Sequence, residues 1–254
     1  MSIKDLIVGK LANKRVNIFW TLFFNFTCLP FRMALQLPII CYGKMRVITL
    51  GGTIIIDDTI KKGMIKIGAD VAHYRTASIT TISIHKGANI VFHGPFVVSQ
   101  GASIVVGPNA KLTLGAYSGM GEYAEIICMK NISIGEHTDI TWQSQITDTG
   151  THNILNKKTN SVSSIFKPVR IGSYCWICNR TTIQPGVVIP DRVIVGSNSL
   201  VNKSFEDILE GSLIAGIPAK YIKGGVYRIY DKDEEVKLMN FFRINDTAQY
   251  EYNK

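Results

Sequence analysis

A chain of 254 residues with 46% hydrophobic content can bury a sizeable core and is too apolar to be a disordered tail. Its formal charge of +9 favours an anionic partner: a phosphate-bearing cofactor, a nucleic acid or an acidic membrane face. The plainer alternative is a generally basic, solvated surface. Five cysteines (Cys28, Cys41, Cys128, Cys175 and Cys178) are odd in number and follow no secretory leader. They argue against a disulfide framework and for a reduced, cytoplasmic protein. Cys175 and Cys178 form a CxxC without a second pair, which leaves little case for zinc or redox chemistry.

Residues 1–44 begin with Lys4, Lys10, Lys14 and Arg15, then carry an aromatic run from Ile18 to Phe26. Asn17, Thr21, Asn25 and Thr27 interrupt the run, and Pro30 and Pro38 follow it. It is too short and too polar to span a bilayer, which takes about 20 predominantly apolar residues. A helical extension capping the body of the protein is the expectation, with peripheral membrane contact as a second role.

From residue 45 short β-branched segments recur: TIIID, MIKIG, SITTISI, ANIVF and ASIVV. Ile48, Ile54 and Ile60 are six apart, the frame slips after Gly63, and Ile84, Ile90, Phe96 and Ala102 resume it. Ile134, Ile140 and Ile146 restart the spacing, and Ile171, Ile177, Ile183, Ile189, Val195 and Val201 keep it without a slip. A helix repeats near 3.6 and a half-buried strand near 2, so a sustained period of six is neither. It is the period of a solenoid whose short flat sides stack their aliphatics inward, three sides to a coil. Between Ile146 and Ile171 the polar segment DTGTHNILNKKTNSVSSIFKP breaks the period, and a loop thrown out of a regular coil is where function concentrates. After Ser204 the repeat ends. Residues 231–246 place acidic residues ahead of Val236, Met239 and Phe242 at helical spacing, a terminal amphipathic helix expected to pack.

The strict hexads running into SLVNKSF, followed by LIAGIPAKYIK, resemble the hexapeptide-repeat acyltransferases, closest to the galactoside and maltose O-acetyltransferases and their relatives in surface-polysaccharide clusters. The resemblance spans about residues 45–225 and is most specific over 132–224. It implies a mainly β fold, a left-handed parallel β-helix over 45–225 with an excursion loop at 147–168. Flanking it are the helical extension 1–44 and a helix and tail at 226–254. It also implies acetyl-CoA as donor with no metal, a saccharide acceptor, and a homotrimer with active sites between subunits.

The family's histidine follows a short Thr/Ser/Asp/Gly-rich turn, which puts His152 of ITDTGTHNI in that role. A base near pKa 6.5 can take the proton of a sugar hydroxyl as it attacks the thioester. Asp148 is the candidate to orient the imidazole, as the third member of a triad does, with a turn-forming role as its alternative. For the donor, the resemblance assigns Trp176 and Asn179 of WICN, where Cys178 replaces the usual Gly, to the pantetheine groove. Ser197, Asn202 and Lys203 of VGSNSLVNK, with Lys220 and Lys223 of GIPAKYIK, fall at backbone- and phosphate-contacting positions. Glu125 of GEYAEI stands near the acceptor position, where a carboxylate can accept hydroxyl hydrogen bonds.

Acyl-enzyme chemistry is disfavoured, because neither CxxC cysteine has an evident paired base. N-acetylation of an amino sugar is the nearest competing activity. A trimeric hydratase of the γ-carbonic-anhydrase type would need several histidines on one zinc, and the nearest pair here is His85 and His93. A non-catalytic scaffold is the remaining alternative. No basic run interleaved with aromatics points to nucleic acid.

Overall fold

The computed structural model describes residues 16–70 and 78–252; Lys4, Lys10, Lys14, Arg15 and His73 fall outside them. Its body is a parallel β-helix with three faces, visited in strict rotation. Among the described residues the first face holds nine strands, from Ile39–Cys41 to Ala219–Lys223. The second runs in seven from Lys44–Leu50 to Leu200–Val201, and the third in six from Thr53–Ile56 to Val188–Ile189. Every pairing along the three faces is parallel except the last, where Ala219–Lys223 turns back on Leu213–Gly216.

The inward aliphatics stack directly on one another from coil to coil. Met120, Ile140, Ile177 and Val195 fill the first face, and Ile126, Ile146, Ile183 and Val201 fill the second, each 2% exposed or less. A fully buried side chain of this size stabilises the fold by roughly 1.5–3 kcal/mol. On the late coils each partner lies eighteen residues on, as in Ile177 with Val195 and Ile183 with Val201. On earlier coils the step is longer: Ile104 pairs with Ile126, and Ile126 with Ile146. Three sides of six make eighteen, so only the late coils show the period cleanly. The expected inward Ile48 is 56% exposed, because the strand bulges between Val47 and Thr49 and turns that side chain outward.

The corners are built by residues in the left-handed conformation. On the edge between the first and second faces these are Tyr123, Gln143, Arg180 and Asn198, with φ between 56° and 59°. Gln143, Arg180 and Asn198 each donate a backbone N–H to the carbonyl of the coil before, at 2.9–3.1 Å. Small buried hydroxyls complete the ladder: Thr138 donates to the Gly172 carbonyl at 2.8 Å and accepts from Cys175 N at 3.1 Å.

Two helices, α1 (Ile18–Cys28) and α2 (Phe31–Ala34), cover the open end of the first coil. At the other end lies α3 (Lys232–Ile244), N-capped by Asp231, which accepts from the amides of Asp233 and Glu234. The expected packing face of α3 is not covered within one chain: Val236, Met239 and Phe242 are 53%, 52% and 44% exposed. It is the preceding stretch that docks on the solenoid. The Arg228 guanidinium pairs with Asp139 and lies over the rings of Trp176 and Tyr230.

Candidate active site

Among the described residues the rotation of faces is interrupted by a long insertion between the second and third faces. After Gln145–Thr147 on the second face the chain leaves the corner leading to the third, and returns at Val169–Ile171. Its root is tied by Asp148, fully buried, whose carboxylate accepts from the amides of Met129, Lys130 and Asn131 at 2.7–2.8 Å. Hydrogen bonds from Lys167 N to Asp148 O and from Gly150 N to Ile165 O close the neck. Beyond it the loop forms a small hairpin, Leu155–Asn156 against Ser161–Val162. His152 sits just outside the neck, exposed, after Thr151 in the left-handed conformation, with its own amide donating to Gly150 O at 2.7 Å.

This geometry revises the expected role of Asp148. Both carboxylate oxygens are engaged by backbone amides of the preceding coil, and no hydrogen bond joins them to the imidazole. Asp148 positions the loop's root instead, so its effect on His152 runs through the backbone. Charge-assisted bonds of this kind are about twice as strong as neutral ones, which suits an anchor. The same carboxylate and burial push the Cys128 thiol up to about 12, burial being the larger cause.

The donor-side residues occupy other edges. Asn179 and Ser197 meet on the corner between the first and second faces, where the Ser197 hydroxyl donates to Asn179 Oδ1 at 2.7 Å. Beside them Arg180 lies 5.3 Å from the ring centre of Trp142. Asn202 and Lys203 are exposed on the loop's corner, two coils further on, roughly 10 Å along the axis at the usual strand spacing. Lys203 Nζ stands 5.3 Å from the Phe205 ring. Lys220 and Lys223 are exposed on the terminal return strand of the first face. None of these three lysines forms an ion pair among the described residues. They are therefore available to an anionic ligand. Glu125, exposed on the second face, accepts from Gln145 Nε2 at 3.2 Å.

Trp176 departs from an open groove. It is half-buried on the first face, under Arg228, and lines a cleft of about 620 Å³ with Tyr227, Leu238, Met239 and Phe242 from the C-terminal segment. Arg228 itself escaped the sequence reading. It lies far along the chain from Asp139 and Trp176, and only the solenoid's winding brings the three together. The CxxC thiols are structural: Cys175 is fully buried with its thiol pushed up to about 12, chiefly by burial, and donates to Pro190 O at 3.1 Å. Cys178 is raised as well, again by burial first. His93 pairs with Asp57 at 3.1 Å, and no cluster of three or more metal-ligating side chains occurs among the described residues.

Within one chain, then, His152 and the Asn179–Ser197 pair stand on two edges of the second face. A side of this width measures roughly 15 Å at the rise of an extended strand, whereas reacting atoms must approach to about 3–3.5 Å.

The bacterial transferase hexapeptide (six repeats) family matches residues 168–203, the coils with the eighteen-residue step. Among curated proteins, a stretch of 115 residues is 32% identical to WcaF of Escherichia coli K12, assigned as a colanic acid biosynthesis acetyltransferase, covering 43% of this chain and 61% of that one. WbbJ of the same organism, assigned as a lipopolysaccharide biosynthesis O-acetyl transferase, is 32% identical over 41% of this chain and 56% of its own. The galactoside O-acetyltransferase of E. coli K12 is 28% identical over 61% of this chain and 68% of its own. The chain thus spans somewhat more than half the length of the first two of these relatives. The family match is carried by residues 168–203, the late coils of the solenoid.

Proposed function

We propose that the protein is an acetyl-CoA-dependent O-acetyltransferase of surface-polysaccharide biosynthesis, acting in the cytoplasm on a saccharide hydroxyl, with His152 as general base. The observation that carries this reading is His152, presented at the neck of the long insertion at 148–168 and held there by the Asp148 anchor. Relatives assigned as polysaccharide acetyltransferases support the substrate class. Acetyl-CoA supplies an activated acetyl thioester when bound. The chain's part is to hold the donor, present the acceptor and accept the hydroxyl proton on the imidazole as the oxygen attacks. Lys203, Lys220 and Lys223, without an ion pair among the described residues, suit the nucleotide phosphates, and the Asn179–Ser197 pair offers hydrogen bonds to the amide-bearing arm. Glu125 and its neighbour Gln145 offer an acceptor surface between the two edges.

The separation of His152 from the donor-side corner fits a site completed by a second copy, in a homotrimer. The loop supports this: Ile154, Leu155 and Val162 are 79%, 52% and 54% exposed, an apolar tip without cover in one chain.

His152→Ala should lower transfer by roughly 10²–10⁴-fold while leaving acetyl-CoA affinity unchanged, measured by steady-state assay and calorimetric titration. Full activity in that variant sinks the base assignment. Replacing Lys203, Lys220 and Lys223 together with Gln should weaken acetyl-CoA binding, most at low salt, and unchanged affinity removes the phosphate assignment. Sedimentation at three times the 28.2 kDa chain mass is the expected assembly, and a monomer with full activity excludes the shared site.

A further inference from the structure

Helix α1 buries Phe24 in the core yet leaves most of its other large apolar side chains outside. The side chains it presents to the solenoid include Thr21 and Asn25, both almost fully buried, while Ile18, Phe19, Leu22, Phe23 and Phe26 face outward. The reason lies in the strand it covers. Ile39–Cys41 begins the first face and has a parallel neighbour on one side only, so its other edge presents unpaired amides and carbonyls. Asn25 satisfies that edge with its side-chain amide, donating to Ile39 O at 2.7 Å and accepting from Ile39 N at 3.2 Å. Thr21 Oγ1 accepts from Cys41 N at 3.0 Å. With Thr21 and Asn25 on the sheet edge and Phe24 in the core between them, Phe19, Phe23 and Phe26 are left on the outer side.

That stripe is large and continuous. Ile18 and Phe19 are 68% and 65% exposed, Leu22, Phe23 and Phe26 between 37% and 45%, and α2 extends it with Phe31 at 68% and Leu35 at 60%. Phe26 and Phe31 join the two helices with ring centres 6.0 Å apart. Exposed apolar surface of this extent marks an interaction site. Charge decides its nature. From Leu6 to Ile56 the sequence contains no Asp or Glu, yet it carries Lys10, Lys14, Arg15, Arg32, Lys44 and Arg46. An aromatic stripe whose flanking sequence carries cations and no anions is complementary to an anionic lipid surface, which takes rings at the acyl boundary and cations at the headgroups. A symmetric contact with a second copy would instead bring the same cations towards one another.

We propose that α1 and α2 form a peripheral docking face for an anionic lipid bilayer, seating the open end of the solenoid on the membrane surface. No described helix is long and apolar enough to cross a membrane, so the attachment is interfacial. The proposal is independent of the activity assigned above.

The test is co-sedimentation of the full chain with vesicles of phosphatidylcholine alone or mixed with phosphatidylglycerol, at low and high salt. Binding should be confined largely to the anionic vesicles and should weaken as salt rises. The triple variant Phe19→Ser, Phe23→Ser, Phe26→Ser should lose about tenfold or more in partition, with its thermal midpoint and its sedimentation coefficient unchanged. Should that variant unfold, Lys10→Gln, Lys14→Gln, Arg15→Gln keeps the question open to an answer, with a loss of about tenfold or more and no change to the aromatic face. No binding to either vesicle, equal binding to both, or binding that survives the charge substitutions overturns the proposal. So does self-association of the wild-type chain that the aromatic variant abolishes while vesicles are ignored; the face would then be a contact between copies.

Discussion

The two halves of the solenoid reach the same architecture by different means. In coils such as those of Ser103–Val106 and Lys111–Leu114, a four-residue strand turns two aliphatics inward, Ile104 with Val106 and Leu112 with Leu114. In the late coils the strand shrinks to two residues with one inward aliphatic, and the buried residue two positions before it varies: Cys175 before Ile177, Val187 before Ile189, Val193 before Val195. The early coils rest on longer ladders and redundant side chains. In the late coils each two-residue strand contributes a single inward aliphatic. Regularity in sequence therefore marks where the structure tolerates least, and it coincides with the coils that carry Asn179 and Ser197.

The largest expected effect separates the halves directly. Ile183→Ala removes the sole large inward side chain of its strand, between Ile146 and Val201. It should cost about 3–5 kcal/mol, against about 2–3 kcal/mol for Ile104→Ala, whose strand keeps Val106. Urea unfolding followed by circular dichroism measures both. Because each coil touches mainly its neighbours, the late variant should also separate unfolding into two phases. Equal costs, with one cooperative transition in both variants, would remove the distinction between the halves.

A smaller effect is expected at the junction between them. Asp148→Ala leaves three amides of the preceding corner without their acceptor and should cost roughly 2–3 kcal/mol. Since the carboxylate acts on the neck and not on the imidazole, activity should fall through misplacement of His152, while the pH profile of the remaining activity keeps its wild-type shape. A shifted profile would show that Asp148 tunes the base after all. Asp148→Asn, which can still accept from an amide, should recover part of both stability and rate.

What could be read from the chain follows from how each feature is encoded. The hexads from Ile171 to Val201 and the break after Ile146 are local, so both the solenoid and its loop are legible in the sequence. Coils of twenty or twenty-two residues slip the frame, and the bulge beside Val47 reversed Ile48, so the early half was visible only as short β-branched runs. The role of Asp148 was hidden because its partners, residues 129–131, lie one coil earlier, and a turn residue looks the same from sequence whichever way its carboxylate points. Arg228 and Asp139 carried no mutual signal at all; their meeting is a product of winding. In α1 the polar interruptions Thr21 and Asn25 read as weakness in an apolar run. They are the residues that hold the helix on the sheet edge.

The smallest effect concerns the corners, which the two halves share. Gln143 holds φ at 59° on the exposed edge between the first and second faces, and its amide bonds Glu122 O at 2.9 Å. A side chain with a Cβ is disfavoured there by roughly 1–2 kcal/mol, whereas glycine adopts the conformation freely. Glycine loses more freedom on folding, which offsets part of the gain. Gln143→Gly should therefore stabilise the protein by about 0.5 kcal/mol, read as a small rise in thermal midpoint with activity unchanged. The corresponding change at Asn198, φ 56°, should gain less, because Asn already tolerates that region better than Gln. If both lower the midpoint, the Gln143 and Asn198 side chains contribute more to their corners than their exposure suggests, and the corner amides alone do not hold the coils in register.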